Sequence, residues 1–591
     1  MTPTTALKHY FGYDDFKDGQ KQVIELVLAH QNTLALLPTG GGKSLCYQIP
    51  ALLSPDLTLV ISPLISLMKD QVDSLLQNGI SAGLLNSSQS FAETKAVLQK
   101  ARRHELKLLY IAPERLENQF FLELLEDLPV SLVAVDEAHC ISQWGHDFRP
   151  SYLKLPLLLA QLKQAPTVIA LTATATPQVA HDIKTLLQIP TTNEVKTSFA
   201  RPNLTFKLIK GTNFEKYLLA YLKENPHESG IIYAATRKKV EQLGNLLQKC
   251  GLNAGIYHAG LSETVRKQNQ EDFLYDRTPI MVATNAFGMG IDKSNVRFVI
   301  HAQVPGSLEA YYQEAGRAGR DGVASEAILF YKEADLRVQR FFIDNSEADE
   351  AHRERDYLKL QSLSRYANTE ECLQRFLVQY FGQDCPPCQK CTNCTDTRAK
   401  QDITKEAQMI MSCIIRMRAH FGKKIVAQVL AGSKAKRILE LGFDQLSTYG
   451  IMHKKATEIE SLIDFLTASG YLETTNGQYP TLRVAKRGGE VLRGAEQVFM
   501  RQEVVAKKVV MIDNELFEKL RHLRRELAEA QHVPPFVIFS DQTLHEMCEK
   551  LPTDERAFLE LKGVGHSKLE KYGKIFLDAL TNYQTTKKEA H

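Results

Sequence analysis

The sequence predicts an α/β protein: two parallel sheets followed by smaller, mainly helical modules. Three observations carry this expectation. Between Thr33 and Asp335, short apolar β-branched runs alternate with helical patterns. Beyond Asp335 the alternation stops, and charged helical text leads into five of the chain's ten cysteines, between Cys372 and Cys394. The length, 591 residues, corresponds to about four domains rather than one core.

The runs 33–37, 57–61, 131–135 and 168–171 read as buried strands of a first sheet, and 230–233, 279–282 and 296–301 as strands of a second. Arg201-Pro202-Asn203 marks the joint, because proline disfavours helix at the residue before it. Residues 402–494 read as several helices plus a hairpin turning at Asn476-Gly477, the pattern of a winged helix-turn-helix. A polar, basic linker follows, then a compact helical module over 516–580 and a polar tail.

Composition excludes several classes. With 44% hydrophobic and 24% charged residues the chain is globular rather than collagenous or disordered. A formal charge of +3 is too small to imply a polyanion partner, so partners must be read from local sites. No run approaches the roughly 18 uncharged apolar residues that span a bilayer, and the start lacks a secretory pattern, so no membrane partner and a cytoplasmic location are expected. Cys46, Cys140, Cys250, Cys413 and Cys548 are scattered singly and read as small buried hydrophobes.

The chemistry begins at Pro38-Thr39-Gly40-Gly41-Gly42-Lys43-Ser44, between an apolar strand and a helical stretch. Glycines let backbone N–H groups approach phosphate oxygens, Lys43 neutralises the terminal phosphates, and the Ser44 hydroxyl can ligate Mg²⁺. The strict G-x-x-x-x-G-K-[ST] pattern fails at Leu37. A second strand ends in Asp136-Glu137-Ala138-His139, where Asp136 would hold Mg²⁺ through water and Glu137 would orient or deprotonate the attacking water. In the second sheet, Arg317 and Arg320 are three residues apart and project to similar sides; they read either as surface ion-pair partners or as donors to phosphate from a second domain.

In their order, these motifs resemble the superfamily-2 DNA helicases and, within them, the RecQ helicases, over nearly the whole chain. Phe11 to Gln20 is similar to the motif in which a glutamine, here Gln20, reads the adenine edge; the usual arginine is Lys17. The phosphate loop matches the family's, missing first glycine included. Ser62-Pro63-Leu64 resembles motif Ia, Thr172-Ala173-Thr174-Ala175 motif III, residues 283–293 motif V and residues 313–320 motif VI. The resemblance implies that Arg320 is the arginine finger and that Arg317 supports it. Between motifs II and III, Trp144, the only tryptophan, reads by itself as core or as a stacking surface for unpaired bases. The family's aromatic-rich loop implies the second, with Phe148, Arg149 and His139 sharing DNA contact and its coupling to hydrolysis.

Cys388, Cys391 and Cys394 have the C-x₂-C-x₂-C spacing of a structural zinc site. Either Cys372 or Cys385 can supply the fourth thiolate, and an iron–sulfur cluster is a second use of such a set. The resemblance implies Zn²⁺ on Cys372, Cys388, Cys391 and Cys394. Lys423, Lys424, Lys434, Lys436, Arg437, Lys454 and Lys455 are candidates to track a duplex backbone. Leu561 to Lys568, within a match to the helicase-and-RNase-D C-terminal (HRDC) domain, offers two glycines for a phosphate contact.

The expected division is 1–200 and 201–335 for two RecA-like domains, 336–400 for a helical zinc-binding subdomain, 401–495 for a winged helix, 496–512 for a linker, 513–583 for an HRDC domain and 584–591 for a tail. The expected function is an ATP- and Mg²⁺-dependent DNA helicase. Family resemblance implies 3′ to 5′ movement, roles in recombination and repair, single-stranded and duplex DNA as partners, and single-strand DNA-binding protein and other repair factors beside them. An RNA helicase and a non-catalytic DNA scaffold are the competing readings.

Overall fold

The computed structural model describes residues 1–86, 89–145, 147–287, 293–418, 421–475, 480–501, 515–531 and 533–589. The Asn476-Gly477 turn, His146 and the centre of motif V (288–292) lie outside them, as does most of the expected linker.

The first sheet has seven parallel strands: β1 (Thr33–Leu36), β2 (Leu57–Ile61), β3 (Ala82–Leu85), β4 (Leu108–Ile111), β5 (Val130–Val135), β6 (Thr167–Thr172) and β7 (Glu194–Lys196). Their spatial order is β3-β4-β2-β5-β6-β1-β7. The second has six, β8 (Leu204–Ile209), β9 (Gly230–Tyr233), β10 (Ala254–Tyr257), β11 (Ile280–Ala283), β12 (Phe298–His301) and β13 (Ser325–Phe330), in the order β10-β11-β9-β12-β13-β8. The central strands are buried along their whole length, which is why they read as continuous apolar runs. Side chains of Ser90, Asn213, Thr236, Ser262, Ser307 and Asp349 accept first-turn N–H groups and set where helices begin.

Topology positions the chemistry. Strand β6 lies between β5 and β1, with Leu36 of β1 opposite Thr172. The loop after β1 and the carboxylates after β5 therefore emerge at the same sheet edge, two strand spacings or ~10 Å apart. The apolar core is continuous between the sheets and beyond: Phe199 packs on Tyr312 and Phe381, and the Tyr312 hydroxyl donates to the Phe199 carbonyl at 2.7 Å.

Beyond the second sheet, helix Glu350–Asn368 leads to the cysteine cluster. A separate core built on Ile410, Ile414, Leu430, Ile463 and Leu466 supports the winged-helix module, whose strands β15 (Leu472–Thr474) and β16 (Leu482–Val484) pair antiparallel. Here the structure differs from the sequence reading in two places. Within the stretch read as linker, β17 (Phe499–Arg501) pairs antiparallel with β14 (Lys400–Asp402), a long-range pairing that a local basic composition does not reveal. Lys423, counted among the duplex-tracking lysines, instead ion-pairs with Asp464 at 2.8 Å and with Glu333, tying the module to the helix that follows the second sheet.

The C-terminal helical module has its own core around Phe539, Phe558 and Phe576. It lies against both lobes. Gly563 donates its N–H to the Gly12 carbonyl at 3.1 Å, while buried Arg524 pairs with Asp541 at 2.8 Å and with Asp276 of the second lobe at 3.6 Å. The Leu561–Lys568 loop, read as a phosphate contact, is thus covered by the chain itself: a Cβ on Gly12 would lie 2.4 Å from Val564. Cys250, read as buried, is exposed.

Candidate active site

The phosphate loop leaves β1 through two left-handed glycines, Gly40 (φ +80°) and Gly42 (φ +72°), conformations that only glycine adopts without strain. A Cβ on Gly42 would meet the Gln20 amide nitrogen at 2.4 Å. That amide donates to the carbonyls of Gly41 (3.2 Å) and Gly42 (2.8 Å), and the Gln20 oxygen accepts from the Lys17 N–H at 2.7 Å. The Lys17 ammonium donates to the Gly40 carbonyl at 2.8 Å. Burial, aided by nearby Arg201, lowers the Lys17 pKa below its ordinary value. Gln20 and Lys17 therefore shape the same loop that carries Thr39, Lys43 and Ser44.

Across the sheet edge, Asp136 follows β5 and is half-buried. Its carboxylate accepts from the Glu137 N–H at 3.0 Å and the Ser62 hydroxyl at 3.4 Å, and the Tyr152 hydroxyl donates to its carbonyl at 2.9 Å. Burial and the neighbouring Glu137 carboxylate push the Asp136 pKa well up, opposed by Lys43. Such a carboxylate, with the Ser44 hydroxyl in the loop two strands away, is the hard oxygen donor set that suits Mg²⁺, whose charge would stabilise the ionised form. Glu137 sits at φ +45°, a left-handed conformation costing ~1–3 kcal/mol for a residue with a side chain. Its carboxylate lies 3.2 Å from Nδ1 of His139, which is 1% exposed and also lies 2.9 Å from the Thr172 hydroxyl at the end of β6.

The second lobe reaches this site through the turn after helix Leu308–Ala315. A Cβ on Gly316 would lie 3.0 Å from Thr39, and one on Gly40 would lie 3.4 Å from the Arg320 Cα. The turn that bears Arg317 and Arg320 thus rests directly on the phosphate loop. It is held there by Arg201, 5% exposed, whose guanidinium donates to the carbonyls of Gly316 (3.2 Å), Ala318 (3.0 Å) and Gly319 (3.2 Å). The sequence reading took Arg201 only as part of a joint. Its partners lie 115 to 118 residues away, so no local pattern marked it.

Immediately after His139 runs the tryptophan segment. Trp144 is 42% exposed, which sets aside the core-packing reading, and Phe148 is half-buried. Arg149 donates to Asp147 at 3.1 Å and to the Pro63 carbonyl at 3.1 Å, joining the segment to the loop after β2.

The sulfur atoms of Cys372, Cys388, Cys391 and Cys394 all lie within 4.8 Å of one another, with Cys372 and Cys391 4.0 Å apart. Zn–S bonds of about 2.3 Å in a tetrahedron require S–S edges of about 3.8 Å, so the four thiols fit a single zinc ion; a cluster of several irons would hold them further apart. Backbone N–H groups of Leu373, Cys388 and Cys391 point at these sulfurs at 3.2–3.4 Å and would stabilise thiolates. Cys385 stands outside this group.

The family comparisons agree along the length. The chain matches the DEAD/DEAH box helicase model at 17–183, the helicase conserved C-terminal domain at 213–322, the RecQ zinc-binding model at 333–395, the RQC domain at 397–509 and the HRDC domain at 513–580. It is 52% identical over 582 residues to the ATP-dependent DNA helicase RecQ of Bacillus subtilis (strain 168), covering 98% of each chain. To the protein of the same name from Haemophilus influenzae it is 40% identical over 598 residues, covering 99% of this chain and 96% of that one. A solved structure of the DUF1998 helicase MrfA bound to DNA shares the fold at a TM-score of 0.50 and 16% identity, over 83% of this chain and 63% of that one. No described helix is long and apolar enough to cross a membrane. With two parallel-sheet lobes meeting at a phosphate loop, a four-cysteine zinc site and relatives matched end to end, the chain belongs to the RecQ family of ATP-dependent DNA helicases.

Proposed function

We propose that this helicase translocates 3′ to 5′ along single-stranded DNA and unwinds duplexes in recombination and repair, acting in the cytoplasm at the nucleoid beside single-strand DNA-binding protein and other repair factors. The observation that supports a two-lobe motor is the seating of the Gly316–Arg320 turn on Thr39 and Gly40. In this reading Thr39, Gly40, Gly41, Gly42, Lys43 and Ser44 cradle the phosphates of ATP, Gln20 orders the loop and the adenine edge, and Asp136 and Ser44 hold Mg²⁺. Mg²⁺, when bound, neutralises phosphate charge at the reacting centre. Glu137 orients the attacking water and takes its proton, while Arg320, supported by Arg317, donates to oxygens on which charge accumulates. His139 relays between Glu137 and the segment bearing Trp144, Phe148 and Arg149, where unpaired bases stack. Cys372, Cys388, Cys391 and Cys394 hold zinc as a structural crosslink, and exposed Lys424, Lys434, Lys436, Arg437, Lys454 and Lys455 face the duplex. Because a base-pair step averages about 1.4 kcal/mol, unwinding one or a few pairs per ATP is energetically feasible.

The test is ATP-dependent unwinding of duplexes bearing a 3′ or a 5′ overhang, with Lys43→Ala beside the parent. Unwinding from the 3′ overhang alone, abolished by Lys43→Ala, is the expected result. Unwinding from the 5′ overhang alone would overturn the polarity, and hydrolysis persisting in Lys43→Ala would overturn the assignment of the phosphate loop.

A further inference from the structure

The tryptophan segment is held by a part of the chain that belongs to neither sheet. Helix Glu350–Asn368, which leads into the zinc site, places the Arg355 guanidinium over the Trp144 ring, 5.4 Å from its centroid. One turn on, Lys359, 9% exposed, donates from its ammonium to the Gly145 carbonyl at 3.0 Å and lies 3.7 Å from Asp356. A lysine so enclosed, 214 residues from its carbonyl partner, makes a specific tether rather than a solvated charge.

The tether reaches the chemistry in few steps. Gly145 is pressed onto the His139 carbonyl so closely that a Cβ there would lie 2.3 Å from the oxygen. His139 touches Glu137 at 3.2 Å, and Glu137 sits in its strained left-handed conformation. A pull on Gly145 is therefore felt at the backbone of His139, beside the residue that orients water. Arg355 covers one face of the Trp144 ring, and an unpaired base stacking on that face would have to displace it.

We infer that Arg355 and Lys359 are positioning residues that latch the tryptophan segment in a resting arrangement, and that DNA stimulates hydrolysis by displacing Arg355 from Trp144 and so releasing the Lys359–Gly145 tether. This rests on Trp144 being the base-stacking residue. It assigns the helix before the zinc site a part in setting how much DNA is needed to start the motor.

Because Trp144 is the only tryptophan, intrinsic fluorescence reports on the latch directly. The experiment measures ATP turnover against an oligothymidylate titration, with tryptophan emission, in the parent, Arg355→Met, Arg355→Lys and Lys359→Met. Cutting the latch in Arg355→Met or Lys359→Met is expected to raise DNA-free turnover and lower half-saturating DNA roughly two- to tenfold, the weight of one cation–π contact, leaving DNA-saturated turnover within about twofold. DNA-free emission of Arg355→Met should already resemble the DNA-bound parent, and Arg355→Lys, which keeps the charge but not the planar stacking group, should fall between the parent and Arg355→Met. Unchanged half-saturation in both Met variants, or DNA-free and saturated turnover falling together, would overturn the latch while the stacking role of Trp144 stands. Parent emission that ignores DNA would overturn that stacking role, and the inference with it.

Discussion

The two sheet lobes contribute to one site by different means. In the first, the reactive groups are fixed by their own backbone: Gly40 and Gly42 take left-handed turns, and Glu137 is strained directly after β5, all within a few residues of the groups they aim. In the second, the Gly316–Arg320 turn owes its place to distant partners, with Arg201 bonded to three of its carbonyls and the Gly319 N–H donated to Val296 at 2.8 Å. The difference teaches that the nucleotide cradle is set by its own left-handed turns with support from Lys17 and Gln20, whereas the part that must respond to lobe movement is placed by contacts more than a hundred residues apart that can shift as a unit.

Replacements can break this comparison. The largest expected effect is that of Arg320→Ala, which removes the guanidinium proposed to meet developing charge; ATP turnover should fall on the order of 10³-fold or more with ATP affinity nearly kept, as read by single-turnover hydrolysis and nucleotide titration. Glu137→Gln keeps the shape of the first lobe's site but removes the carboxylate proposed to act on water, and a loss of roughly 10²- to 10⁴-fold in turnover with nucleotide binding retained is expected. If Glu137→Gln abolished nucleotide binding instead, the carboxylate would be holding the cradle rather than acting on water.

Arg201→Ala sharpens the comparison, because it touches no reacting group in this reading. Loss of its three carbonyl bonds should misplace the arginine turn and lower turnover by about 10²-fold while KM for ATP stays nearly constant. An equal loss in Lys17→Ala, which acts on the phosphate loop, should instead appear mainly in KM. The smallest effect on turnover is expected at the zinc site, whose cysteines carry none of the groups proposed to act on phosphate. Cys391→Ser should release zinc to a chelating dye and cost roughly 4 kcal/mol or more in stability, whereas Cys385→Ser should do neither. Zinc loss in Cys385→Ser would return Cys385 to the ligand set.

Much of the fold was legible because burial writes itself into composition: β1, β2, β5, β6, β9, β11 and β12 are buried on both faces and read as apolar runs. Strands such as β17, exposed or half-exposed, and pairing only with β14, carried no such signal and were read as linker. In the active site, the groups that touch phosphate or metal were visible since their spacing is imposed by the ligand. The groups that support them were not. Arg201 and Lys359 are a basic residue in a joint and another in a charged helix, distinguished only by enclosure and by carbonyl partners more than a hundred residues away. Lys423 shows the converse, a lysine that looked free for DNA until Asp464 and Glu333 were found beside it.

The sequence by itself determined the two parallel sheets, the phosphate loop, the carboxylate pair after β5 and the three clustered cysteines. Those features follow from short-range requirements: apolar runs to fill a sheet, glycines where φ is positive, and ligands at bond-length spacing. Only the tertiary structure decided that the arginine turn rests on the phosphate loop, that Arg201 fixes it there, and that a helix before the zinc site grips the tryptophan segment. The physical reason is that a buried cation is worth its desolvation only where the folded chain brings carbonyl or aromatic partners to it, and which distant partners arrive depends on the packing of whole layers rather than on any local pattern.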